Sequence, residues 1–135
     1  MGSVYCLQSL VIPNIFLRTD GKTVNCQYTR SSWERWQFTK CKDETYIIES
    51  VQFPHNFIML TDSEQIQMTS VQASATPFKF VIADIEQPVK IAILTPNGNY
   101  LSITDGMSAF FGMGGGKVEV TAFSEKSIFL IVPVE

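Results

Sequence analysis

Residues able to do chemistry are few in this chain, and their spacing does not bring them together. His55 is the single histidine, and it follows Pro54 with nothing nearby to supply the rest of a ligand set. A zinc site needs three or four convergent ligands, and an activated nucleophile needs a base beside it. No phosphate-cradling motif is present either. The sequence therefore points to recognition without catalysis, with no metal and no cofactor.

Two stretches are unusual enough to do the recognising. Trp33 lies between Tyr28 and Arg30 on one side and Glu34 and Arg35 on the other. An aromatic ring stacks against the C–H face of a sugar while polar neighbours fix its hydroxyls, so Trp33, Tyr28, Arg30, Glu34 and Arg35 form a candidate carbohydrate site. The competing reading is a tryptophan that covers one end of the fold. The second stretch, 107–116, carries Phe110, Phe111 and Met113 among glycines. Apolar side chains on so flexible a segment suit a protein-docking loop. Alternatively Phe110 and Phe111 fold back to plug the barrel end, with Gly112 to Gly116 exposed.

Composition narrows the classes. Apolar residues make up 45 % and charged residues 17 % of 135 positions, which suits one packed domain, 1–135, rather than a disordered chain. The formal charge is −3, and the basic residues are dispersed, so a nucleic-acid partner is not expected. No apolar run is long enough for a transmembrane segment, and no secretory leader is visible. Cys6, Cys26 and Cys41 are odd in number and lack C-x-x-C spacing, which fits free thiols and a cytoplasmic location.

The elements that must position these residues come from a repeat. Asn14-Ile15-Phe16-Leu17-Arg18-Thr19-Asp20, Asn56-Phe57-Ile58-Met59-Leu60-Thr61-Asp62 and Asn99-Tyr100-Leu101-Ser102-Ile103-Thr104-Asp105 share an Asn opening and a Thr-Asp close, about 42 residues apart. A run of strand formers precedes each Asn, with Pro13, Pro54 or Pro96 ending it. Asp20, Asp62 and Asp105 are expected to make Asx-type turns, and the three Asn to tie down the turn before them. Trp36-Gln37-Phe38 and Phe78-Lys79-Phe80 alternate as a later strand with one buried face. In the third repeat the matching strand is Ser127–Val132, which leaves extra residues within 107–116.

The expectation is an all-β fold of three four-stranded repeats, about 1–50, 51–95 and 96–135. Three units are too few for an ordinary propeller, and no repeat reads as a solenoid cap. Closure about a pseudo-threefold axis gives a β-trefoil. The pattern resembles the fascin-like, or actin-crosslinking, β-trefoil superfamily through Asn14 to Leu17, Val24-Asn25-Cys26, Trp36-Gln37-Phe38 and Asn99-Tyr100-Leu101. Tyr5 to Ser9 and Phe16-Leu17-Arg18 also resemble amaranthin-type agglutinin domains, which are lectins on that fold. The Gln-x-Trp of ricin-type trefoils is absent.

These resemblances imply a lectin-like carbohydrate-binding module. The alternatives are a fascin-like actin or cytoskeleton binder, which would need two sites or a dimer to bundle filaments, and a protein-interaction domain. The last would resemble a protease inhibitor or cytokine and act through the 107–116 loop.

Overall fold

Short runs of β-branched and aromatic residues, each cut by proline, glycine or an Asx turn, produce twelve strands and no α-helix among the described residues. The computed structural model describes residues 3–28, 31–106 and 115–134. The strands fall into three sets of four. The first holds β1 (Tyr5–Ser9), β2 (Phe16–Thr19), β3 (Val24–Gln27) and β4 (Trp36–Lys40). The second holds β5 (Thr45–Ser50), β6 (Phe57–Leu60), β7 (Ile66–Thr69) and β8 (Phe78–Asp84). The third holds β9 (Lys90–Leu94), β10 (Tyr100–Asp105), β11 (Lys117–Thr121) and β12 (Ile128–Pro133). Each unit opens on the strand before its anchor, so the units meet at 41–44 and 85–89, slightly ahead of the divisions near 50 and 95.

Six strands close on themselves. β1 pairs with β4, β4 with β5, β5 with β8, β8 with β9, β9 with β12, and β12 returns to β1, every pair antiparallel. The other six form three hairpins, β2–β3, β6–β7 and β10–β11, each continuing from β1, β5 or β9. At one end of the barrel β3, β7 and β11 touch one another pairwise, which caps it.

The core repeats in layers. Leu7, Ile48 and Ile93 form one fully buried trio, Leu17, Ile58 and Leu101 a second, and Trp36, Phe78 and Phe129 a third. Each such side chain contributes about 1.5–3 kcal/mol by leaving water. Trp36 is therefore core, as its alternation implies, and its indole Nε1 donates to the Leu17 carbonyl at 3.1 Å.

The Asn-based repeat is out of step in the first unit. The amides of Ser9, Ser50 and Thr95 donate to the carbonyls of Ile15, Asn56 and Asn99, which makes those three positions equivalent. Asn14 instead matches His55 and Gly98, and all three sit at positive φ (59°, 65° and 90°). A left-handed residue is needed to turn the chain there, and Asn tolerates that conformation better than most non-glycine residues. Of the three Asn, only Asn56 ties its turn down by side-chain bonds among the described residues, donating to the carbonyls of Phe53 and Pro54. Asp20 makes the expected Asx turn, its Oδ1 accepting from the amides of Lys22 (2.9 Å) and Thr23 (2.8 Å). The Thr23 amide in particular holds its carboxyl below the usual range.

The extra residues of the third unit lie between β10 and β11. Phe110, Phe111 and Met113 fall outside the described residues. Gly115 and Gly116, expected to be exposed, are half-buried. Gly115 exchanges backbone hydrogen bonds of 2.8 and 2.9 Å with Cys26 of β3, which ties the end of this connection to the cap.

Candidate functional site

The Trp33 region is built where a hairpin strand meets the turn leading into β4. Residues Ser32–Glu34 form a single 3₁₀ turn. Glu34 reaches back to secure it, its Oε1 accepting from the Ser31 amide at 2.6 Å and the Ser31 hydroxyl at 2.9 Å. The other carboxylate oxygen lies 3.6 Å from Nε of Arg18 on β2. Arg18 in turn donates from Nη1 to Asn25 Oδ1 at 3.1 Å. Both members of the pair are buried, Arg18 at 7 % exposure and Glu34 at 1 %. Burying either charge alone would be costly, so each requires the other.

Trp33 packs on this pair. The Arg18 guanidinium carbon sits 4.5 Å from its ring centroid, a cation–π contact. On another side the ring meets Phe53 edge to face, with centroids 5.4 Å apart. A cleft of about 240 Å³ opens here, lined by Arg18, Gln27, Ser31, Ser32, Trp33 and Glu34. Its two charges offset each other, and the rest of its lining offers hydroxyl, amide and ring surfaces.

Of the residues expected in a carbohydrate site, Trp33 and Glu34 line this cleft. Glu34 is committed to holding Ser31 and Arg18 in place. Tyr28 is exposed beside it, and its amide donates to the Gln27 side chain at 3.1 Å. Arg35 is exposed and does not line the cleft, although its carbonyl accepts from the Val51 amide. Arg30 lies outside the described residues. Arg18 and Gln27 were missed because β2 and β3 reach the turn only through the hairpin, and Ser31 and Ser32 were missed although they directly precede Trp33. The available signal was a charged residue inside Phe16-Leu17-Arg18-Thr19, a strand buried at every position.

The strand pairing identifies the corresponding places in the other units. Arg18 corresponds to Met59 and Ser102, Trp33 to Ala75 and Lys126, and Glu34 to Thr76 and Ser127. In the second unit the Thr76 hydroxyl accepts from the Leu60 amide at 2.7 Å. In the third, the hydroxyls of Ser102 and Ser127 lie 2.8 Å apart, with Thr121 also on Ser102. Among the three, a ring and a buried ion pair occur only in the first. His55 takes the turn position already described, and no group of three or more His, Cys, Asp or Glu side chains converges among the described residues.

No protein-family model matches the chain, and no curated protein matches it in sequence. Solved structures do match along its whole length. The designed threefold-symmetric protein ThreeFoil superposes with a TM-score of 0.75 at 14 % identity, covering 97 % of this chain and 99 % of its own. The chain is a β-trefoil. SeviL, solved bound to the asialo-GM1 saccharide, matches this trefoil at TM-score 0.75 and 13 % identity, with both chains covered completely. The agglutinin of Rhizoctonia solani matches at 0.75 and 12 %, over 99 % of this chain and 96 % of its own. At such identities the likeness is one of fold. Among the described residues no helix is long and apolar enough to cross a membrane.

Proposed function

We propose that this trefoil is a lectin-like module that binds a carbohydrate in the first-unit cleft and performs no chemistry on it. The observation that carries this reading is a half-buried tryptophan beside hydroxyl, amide and guanidinium groups, at one of three equivalent places and not the other two. The Arg18–Glu34 pair leaves the cleft without net charge, which suits a neutral sugar ring better than an acidic one. Ser31, Ser32 and Gln27 supply the hydrogen-bonding groups that fix sugar hydroxyls. Support by analogy comes from SeviL, whose structure holds a saccharide, and from an agglutinin of the same fold. One equipped cleft among the described residues implies one sugar bound there.

The test is a glycan array followed by tryptophan fluorescence. Trp36 is buried in the core, so a Trp33→Phe variant separates the two emissions. A bound sugar shifts the Trp33 component in the millimolar range or below, and Trp33→Ala abolishes binding with the fold retained. If no array sugar moves the emission at millimolar concentration, the carbohydrate reading fails.

A further inference from the structure

At the barrel end opposite the hairpin cap the three units do not fill the mouth equally. The residues paired with, or two places beyond, the Trp36, Phe78 and Phe129 core trio point there. The first unit contributes Tyr5 and Phe38, the second Tyr46 and Phe80, and the third Ile131, its Ile91 being buried in the core. Rings in two units and aliphatic groups in the third leave a cavity of about 490 Å³ open to solvent. Its wall is ordered. Tyr5 stacks on Phe38 with centroids 5.3 Å apart and planes within 4°. Tyr46 stacks on Phe80 at 4.8 Å and 19°, and Phe38 meets Phe80 edge to face at 5.0 Å. Ile131, Val89 and Pro133 complete the apolar lining, and Ser3 and Gln87 supply polar groups.

We infer that this mouth is a second binding site, separate from the Trp33 cleft, and that it takes a neutral, mainly apolar molecule built on a planar ring. Three properties of the lining select that class. The volume is that of pockets holding small organic ligands, which span roughly 300–1,000 Å³. Two stacked ring pairs meeting at a right angle present both faces and edges, so a planar guest can stack on one pair and meet the other edge-on. No Asp, Glu, Lys, Arg or His lines the cavity among the described residues, so a charged guest would lose hydration without gaining a counter-charge. Ser3, Gln87 and the two tyrosines leave room for one polar group on the guest. A sugar, which needs several directed hydrogen bonds, fits the other cleft better.

The probe is indole, titrated into the isotope-labelled full chain and followed by NMR. Saturable shifts confined to the signals of Tyr5, Phe38, Tyr46, Phe80 and Ile131, with the Trp33 signals unmoved, are expected. Benzoate and benzylammonium, which carry a charge on a similar ring, should bind at least about tenfold more weakly. Val89→Trp fills the mouth from the β8–β9 connection, where Val89 is only partly buried against the core, and should cut indole affinity by at least about tenfold while the backbone spectrum stays folded. The site is overturned by shifts that do not saturate or spread over the surface, by unchanged affinity in Val89→Trp, or by the absence of any shift at millimolar indole. Equal binding of either charged probe overturns the neutral class, as does a hexose that perturbs the mouth instead of the cleft.

Discussion

Arg18 and Trp33 are in direct contact, the guanidinium carbon 4.5 Å from the ring centroid, although they belong to a hairpin strand and to the turn before β4. Through Arg18 the ring is coupled to Glu34 and so to the ion pair beneath it. The second unit solves the same packing problem without charges, using Met59 and Thr76.

That contrast gives the first prediction. Glu34→Thr alone leaves the Arg18 charge buried without its partner and should cost about 3–5 kcal/mol of unfolding free energy. Arg18→Met combined with Glu34→Thr copies the second unit into the first and should recover most of that loss. Urea unfolding of the two single variants and the double variant measures the coupling. A double variant no more stable than Glu34→Thr would show that the pair is not what the site depends on.

Two glycines at positive φ should respond differently to alanine. At Gly98 (φ +90°) a Cβ would meet nothing within 4 Å, so Gly98→Ala should cost only the backbone strain, about 1 kcal/mol. At Gly116 (φ +70°) the added carbon would overlap the Asp105 carbonyl oxygen and come within 2.5 Å of Cys26 Sγ. Because the carbonyl is backbone and cannot swing away, Gly116→Ala should cost about 3 kcal/mol or more. Thermal unfolding of both variants checks the order, and similar losses would contradict it.

Cys26 should make the fold sensitive to alkali. Burial, reinforced by the charge of Asp105, pushes its thiol from near 9 up to about 11. The Sγ lies 3.2 Å from the Gly115 carbonyl oxygen and 3.6 Å from that of Asp105, to which a neutral thiol donates and a thiolate cannot. In the unfolded chain the thiol ionises near 9, so between pH 9 and 11 the unfolded state has lost a proton that the folded state keeps. Stability is then fully present below about pH 9 and declines up to about pH 11. Cys26→Ser does not titrate in this window, so wild-type stability relative to Cys26→Ser should fall across it. A constant difference in chemical unfolding at the two pH values would refute the assignment.

Much of the architecture was legible because strands have a period of two and several segments, β8 and β11 among them, alternate. Lys117 to Thr121 is β11 with the boundaries its pattern implies, and Trp36 and Phe78 occupy equal core places. The register of the first unit was not legible. An Asn occurs in all three copies, but in the first it serves the left-handed turn, which His55 and Gly98 serve in the others. Identity of residue type therefore hid a difference in backbone role. The site was half legible. Trp33 and Glu34 stand out locally, whereas Arg18 and Gln27 join them through hairpin folding that no short window encodes.

The barrel ring is completed only when β12 lies along β1, pairing Tyr5 with Pro133 and Ser9 with Phe129. During synthesis the strand made first must therefore wait for the strand made last. Until residues 128–133 have left the ribosome, Leu7 and its layer partners Ile48 and Ile93 cannot be fully enclosed. So long a wait for a distant contact favours slow, all-at-once folding and leaves a nascent chain rich in sticky half-built sheet.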